Sequence, residues 1–258
     1  FIKRTITSYD GEDVTAIGKY AFKYCKSLVS VSFPAAKAIG EEAFYGCNKL
    51  TLANVPETTS IGNSAFYGCT SLNSASFPEV TSMGWSVFAG CTSLTSASCP
   101  VATTIGSNAF GKCIPLVSVD MPAVTEIQHS TFEYCSSLKS ASFHVVTTIG
   151  DRAFEFCHAL TTVDFPAVTT IGYQSFAGCE NLTTVSFPSV KTIDNNAFSG
   201  CNFSSVDFPY VTSLGSGALR FCENLTSVKI GSKNSKVCTM SASDVFYNTP
   251  IYSGNGFI

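Results

Sequence analysis

One hydrophobic pattern is written along the chain again and again. In Leu182-Thr183-Thr184-Val185-Ser186-Phe187 the first, fourth and sixth places are apolar. Val185 and Phe187 alternate with Thr184 and Ser186, as a strand with one buried face requires. Pro188 closes the strand, because proline cannot donate to a ladder. A second apolar set follows at Val190, Ile193, Ala197, Phe198 and Cys201. It is too short for a stable helix of its own and predicts a turn, a brief extended stretch, then a further turn or short 3₁₀ segment. The idealised unit reads FPAVTTIGxxAFxGCxSLTSVS.

The cysteines measure the period. Cys25, Cys47, Cys69, Cys91, Cys113, Cys135, Cys157, Cys179 and Cys201 stand 22 residues apart, and Cys222 follows after 21. Cys99 and Cys238 fall outside the series. Phe precedes each by three, from Phe22 to Phe198, with Leu219 in the tenth unit. Ile or a relative stands five earlier still, from Ile17 through Met83 to Leu214. A fixed period of this size marks a stacked repeat protein, in which neighbouring units bury each other's apolar faces. The expected architecture is a right-handed solenoid of about ten 22-residue turns, with parallel strands on one face and turns, short extended and 3₁₀ segments elsewhere. Strands at ~4.8 Å give a stack on the order of 45 Å long. The short step is placed at Cys201-Asn202-Phe203-Ser204, which has one residue fewer than Cys179-Glu180-Asn181-Leu182. Phe203 then takes the Leu role, and a local kink is expected at residues 201–204.

Units built on IGxxAFxxC followed by LxxLxLP resemble the BspA-like, Treponema pallidum-type class of leucine-rich repeats over roughly residues 14–230. The unit here is one residue shorter than is typical of that class. The fold expected is thus a leucine-rich-repeat solenoid, placed in the α/β class. The resemblance further implies a bacterial surface or secreted origin and adhesion to host proteins or to other cells. It names no ligand, and fold alone does not fix function. Residues 1–13 carry Lys3, Arg4, Asp10, Glu12 and Asp13 and are expected to form an N-terminal cap or preceding strand. Residues 14–230 form the solenoid, and residues 231–258 a C-terminal cap or the start of a linker. The start at Phe1 and the end at Phe257-Ile258 read as a piece of something longer.

Composition follows from the pattern. Inward positions supply the 45% of hydrophobic residues, and Ser and Thr on outward strand positions hold charged residues to 13%. The 12 Cys invite a disulfide framework, a metal site or a catalytic thiol. Parallel stacking keeps Cβ atoms of neighbouring cysteines about as far apart as their Cα atoms, beyond the usual ~3.8 Å of a bridge. Flanked by inward Phe and Leu, these residues are expected as buried thiols that pack as small apolar groups. There is no CxxC pair, and His129, His144 and His158 give no ligand set, so neither metal nor cofactor is expected. Ten cysteines share one environment, so none is singled out as a nucleophile. No GxGxxG, P-loop, GxSxG or HExxH occurs, and no enzyme is expected. A net charge of −3 points away from nucleic acid. No run approaches the ~18 apolar residues of a membrane span.

Variation between repeats sorts inside from outside, and two outward zones emerge. The strand face is a small, polar carpet of Ser and Thr, including Thr162 and Thr184, and bears Asp120, Asp164 and Asp207 in its later half. It reads either as a solvated sheet face or as a hydrogen-bonding ligand surface. The IGxxAFxxC turn carries the single Trp, Trp85, with Tyr20, Tyr45, Tyr67 and Tyr173. Tyr and Trp are typical anchors of recognition surfaces. Trp85, Tyr173 and Tyr45 are expected to be exposed, while Tyr24, Tyr134, Phe156 and Phe221 either extend the core or join them. The expected function is a non-catalytic binding or adhesion module for a protein or glycan partner on a host or neighbouring cell. The rival is a structural spacer that presents another domain.

Overall fold

The computed structural model describes residues 5–231, 239–240 and 244–251. Contacts divide the chain into two compact units, Phe1–Val124 with Thr131–Ser137, and Thr125–Ser130 with Leu138–Ile258. In the first unit the LxxLxL residues form parallel sheets: Ser8–Asp10, Ser30–Ser32 and Leu52–Asn54 in one, Ser74–Ser76, Ser96–Ser98 and Ser118–Asp120 in another. Partners stand 22 residues apart, as in Ser30 opposite Leu52 and Ala97 opposite Val119. The brief extended stretch of each repeat is a strand of two residues. Ala16–Ile17, Ala38–Ile39, Ser60–Ile61, Ser82–Met83 and Thr104–Ile105 make a five-stranded parallel sheet.

The second unit repeats the plan. Ser140–Ser142, Thr162–Asp164 and Thr184–Ser186 form one sheet, and Ser205–Phe208 pairs with Ser227–Ile230 in another. The ladder is interrupted between Ser186 and Ser205, where the repeat is one residue short. Phe203 is fully buried in the Leu place. The two-residue strands run through this point unbroken, with Thr192 opposite Ser213. The missing residue thus leaves the two-residue strands in register, while the strand ladder also breaks between Asn54 and Ser74, where the repeat is full length.

Each core is a set of columns. In the first unit the rings of Phe22, Phe44, Phe66, Phe88, Phe110 and Phe132 stack with centroids 5.1–5.5 Å apart and planes within 18°. In the second, Phe154, Phe176 and Phe198 do the same at 5.2 and 5.3 Å, beside a second column of Phe143, Phe165 and Phe187 at 5.7 Å. The ring spacing is set by the strand repeat of ~4.8 Å. Each stacked pair adds roughly 0.5–1.5 kcal/mol beyond its buried area.

The third side of each turn corrects the sequence expectation. Among the described residues there is no helix and no 3₁₀ segment, so the α/β assignment gives way to an all-β solenoid. The cause is backbone handedness. Two residues four apart in each IGxxAFxxC turn are left-handed, such as Glu42 (φ 51°) with Gly46 (φ 68°) and Ser86 (φ 53°) with Gly90 (φ 72°). A left-handed residue cannot sit inside a right-handed helix. It redirects alternate N–H groups out of the repeat instead. Glu42, Phe44 and Gly46 donate to the carbonyls of Asn63, Ala65 and Tyr67 at 2.8–2.9 Å. Ala43, Tyr45 and Cys47 close turns back onto Gly40, Glu42 and Phe44. The segment is thus a third ladder between repeats.

Candidate binding surface

The strand face presents Thr162, Thr184, Asp120, Asp164 and Asp207 to solvent. Thr162 and Thr184 are direct neighbours, and Asp164 stands opposite Ser186. Asp120 accepts a hydrogen bond from Ser98 Oγ at 3.2 Å, and Asp207 stands opposite Lys229. The three carboxylates belong to three different sheets.

Many of the threonines are committed to the backbone. Thr51, Thr95, Thr161 and Thr183 precede their strands by one residue. Each donates its Oγ1 hydrogen to the carbonyl of the residue 22 earlier, at 3.0–3.4 Å. Their N–H groups bond the same carbonyls. The Thr content thus partly serves a side-chain ladder that reinforces the main-chain one. The recurring Thr directly after the strand-opening Leu is the sequence signal for it.

The turn face of the first unit gathers aromatic rings around paired charges. Trp85 is 51% exposed, Tyr20 45% and Tyr67 38%. Tyr45 and Tyr173 are half-buried, against expectation, because neighbouring repeats cover them. Tyr45 stacks on Tyr67 at 4.8 Å with planes 8° apart and meets Tyr24 edge-on at 5.4 Å. The Arg152 guanidinium lies 5.7 Å from the Tyr173 ring. Tyr24, Tyr134 and Phe221 turn outward rather than extending the core.

Lys23 Nζ sits 4.9, 5.5 and 5.0 Å from the ring centres of Tyr20, Tyr24 and Tyr45. Its ammonium bonds the Glu42 carboxylate, which raises the pKa of Lys23. Lys19 pairs with Glu41 at 2.8 Å and lies 4.8 Å from the Tyr20 ring. Burial, first, and the neighbouring Tyr67 raise the pKa of the Tyr45 phenol. The cluster is electrically balanced, two cations against two carboxylates, and Tyr20, Tyr24 and Tyr67 around it are exposed. Trp85 is tied into this face by its backbone N–H, which donates to Asn63 Oδ1 at 3.1 Å. Asp151 and Asn195 do the same for Tyr173 and Ser216. Part of the variable pair after Gly therefore caps the next repeat.

The cysteines offer no nucleophile. All eleven within the described residues are buried. Cys47, Cys69, Cys91, Cys113, Cys135, Cys179 and Cys201 donate Sγ–H to the carbonyl of the Phe 25 residues earlier, at 3.1–3.3 Å, and Cys222 does so to Phe198. Burial pushes the Cys47, Cys113 and Cys222 thiols up to about 12, so the reactive thiolate is suppressed. Among the described residues no group of three or more His, Cys, Asp or Glu is placed to hold a metal ion. No helix of the described residues is long and apolar enough to cross a membrane.

Parallel 22-residue turns with LxxLxL strands define a leucine-rich-repeat protein. The sequence profile of the BspA type leucine rich repeat region matches residues 15–139, 59–169 and 147–255, and the chain belongs to that family. Among solved structures, the Treponema pallidum leucine-rich repeat protein is 30% identical, with 68% of this chain and 78% of that one covered and a TM-score of 0.52. A leucine-rich repeat protein of Bacteroides ovatus is 21% identical over 98% of this chain and 86% of that one, with a TM-score of 0.53. One from Eubacterium ventriosum is 19% identical over 99% and 86%, also at 0.53. The last two share the fold. No curated protein matches the chain. Families of this type are typically bacterial cell-surface proteins, and leucine-rich repeats generally serve as binding scaffolds rather than enzymes.

Proposed function

We propose that the chain is a non-catalytic adhesion module of a bacterial surface or secreted protein. In this reading it holds a protein on a host or neighbouring cell through the turn face of its first unit. The observation that carries this is a turn face on which Tyr20 and the half-buried Tyr45 flank Lys23 and Glu42, Tyr67 stacks on Tyr45, and Trp85 stands exposed further along the same face. Rings held by a hydrogen-bonded ladder lose little freedom on binding, and Tyr and Trp give large contact area at low entropy cost. The balanced charges favour a partner that brings apolar and polar groups rather than a strong field. Residues 1–13 act as a cap in the same reading, supported by Tyr9, whose ring meets Phe22 and Phe33 at 5.4 Å. The matching role of residues 231–258 falls mostly outside the described residues.

The test is a screen of the chain against matrix proteins, mucins and intact cells, repeated with Tyr20→Ala, Tyr67→Ala and Trp85→Ala. Loss of at least one hot-spot contact is expected to weaken the best binder roughly 30-fold. If the module is only a spacer that presents another domain, the three variants bind and adhere like the parent.

A further inference from the structure

We infer that the first unit carries a second binding site, on its strand face, that takes a neutral sugar. This goes beyond the turn-face reading and uses none of its residues. The sheet formed by Ser8–Asp10, Ser30–Ser32 and Leu52–Asn54 borders an open, shallow hollow of about 500 Å³. That lies within the roughly 300–1,000 Å³ of small-ligand sites. Ser8, Asp10, Ser30, Ser32, Leu52 and Asn54 line it.

The site stands where the repeat pattern is broken. Leu52 occupies a column that is otherwise Ser or Thr, as at Ser8, Ser30, Ser74 and Ser96. It is 56% exposed, more than any other large hydrophobic residue among those described. Asn54 is the single Asn in the next outward column, among Ser32, Ser76, Ser98 and the acids. Both departures fall on one strand, and that strand lines the hollow. Nothing in the core asks for either residue, since Leu52 and Asn54 face out and Ala53 between them faces in.

The chemistry of the lining selects the ligand. Asn54 Nδ2 donates to Ser32 Oγ at 3.2 Å, leaving its Oδ1 to accept. Asp10 is exposed and has no ion-pair partner among the described residues. Three serine hydroxyls both donate and accept. Among the described residues no lysine, arginine or histidine lines the hollow, so there an anion would meet Asp10 without compensation. A pyranose meets each of these features. Its hydroxyls donate to Asp10 and Asn54 and exchange hydrogen bonds with the serines, while its apolar C–H face lies on Leu52.

The site is tested by titrating the whole chain with the methyl glycosides of glucose, galactose, mannose and N-acetylglucosamine, followed by NMR at the Leu52 methyls and the Asn54 amides. N-acetylneuraminic acid serves as the anionic control. At least one neutral sugar is expected to give saturable shifts at both residues. Leu52→Ser and Asn54→Ser restore the residues of neighbouring repeats and so keep the fold. Each is expected to weaken binding about tenfold or more, as is Asp10→Asn. Trp85→Ala is expected to leave the sugar shifts unchanged, so failure of the turn-face reading is told apart from failure here. Absence of saturable shifts with every sugar overturns the inference. So do shifts that survive all three strand-face variants, or tighter binding of N-acetylneuraminic acid than of any neutral sugar.

Discussion

Three glycines separate the two reasons a repeat can require glycine. A Cβ on Gly106 would lie 2.4 Å from the carbonyl carbon of Gly84 and 2.5 Å from Gly84 O and Trp85 N. These are backbone atoms of the preceding repeat, held by the Gly106 N–H bond to Met83 O at 3.0 Å and by the Thr104–Ile105 pairing with Ser82–Met83. The clash is relieved only by pulling two ladders apart, so Gly106→Ala is expected to cost about 3 kcal/mol, the top of the range for overpacking. Gly18 occupies the same place in its own repeat, yet a Cβ there meets nothing within 4 Å. Gly18→Ala is expected to be neutral or to stabilise by about 0.5 kcal/mol through the unfolded chain. Gly68 also has open space, but its φ is +66°. Gly68→Ala therefore costs the left-handed penalty alone, about 1 kcal/mol. Urea unfolding followed by circular dichroism reads all three as midpoint shifts, in the order Gly106, Gly68, Gly18. Gln128 and Asp194 stand at the Gly106 place in other repeats, so the backbone can be built around a side chain. What Gly106→Ala measures is the cost of imposing one on a neighbour already built against glycine. Equal destabilisation by Gly18→Ala and Gly106→Ala would refute the close-approach argument.

Further expectations concern buried polar groups and thiols. Ser175 is fully buried, its Oγ has no hydrogen-bond partner, and Ala stands at its place in most repeats; Ser175→Ala should stabilise the fold by about 1 kcal/mol and so raise the urea midpoint, and a lower midpoint counts against this reading. Burial raises the pKa of Cys47, Cys113 and Cys222 to about 12, so folding keeps protons that the unfolded chain gives up. Their contribution is complete below the unfolded thiol pKa near 8.5. It is lost as pH rises from there towards 12, at up to about 1.4 kcal/mol per unit for each thiol. Urea midpoints should fall steadily above about pH 9, and a flat profile to pH 11 is incompatible with a buried thiol column. A disulfide-exchange reagent should find almost no reactive thiol in the native chain. It should find about ten or more after denaturation without reductant, while far fewer would bring disulfides back into consideration.

Periodicity reveals what is repeated and hides what depends on a neighbour. Phe22, Ile39, Cys47 and Phe203 could be placed inward from spacing alone, because core positions obey the 22-residue rule whatever surrounds them. The paired left-handed residues were only half visible. Gly46, Gly68 and Gly90 mark one of the two positions, but Tyr24, Lys112 and Phe156 occupy it elsewhere with φ of 58–61°. A non-glycine residue in that conformation leaves no compositional trace, and the segment therefore reads as a 3₁₀ turn. Tyr45 and Tyr173 were misjudged for a related reason. The exposure of a turn residue is decided by Tyr67 or Arg152 in an adjoining repeat, and no single unit contains that information.

The same distinction bears on where function can reside. Three ladders, two of them strand pairs and the third made by the turns, fix the backbone of every repeat almost independently of its outward side chains. An outward position can then change without cost to the fold, provided it is neither one of the Thr Oγ1 donors nor one of the capping Asn and Asp residues. Positions that satisfy this condition and still break the pattern are the ones with something to explain. In the first unit they include Leu52 and Asn54 on the strand face, Tyr45, Tyr67 and Trp85 on the turn face, and Ile114. The exposed Leu52 is set apart by the strand-face hollow it lines, and the tyrosine pair by its stacking outside the core. The regular repeats supply a rigid frame, and the irregular residues on it mark two faces, one aromatic and one polar with a single apolar spot.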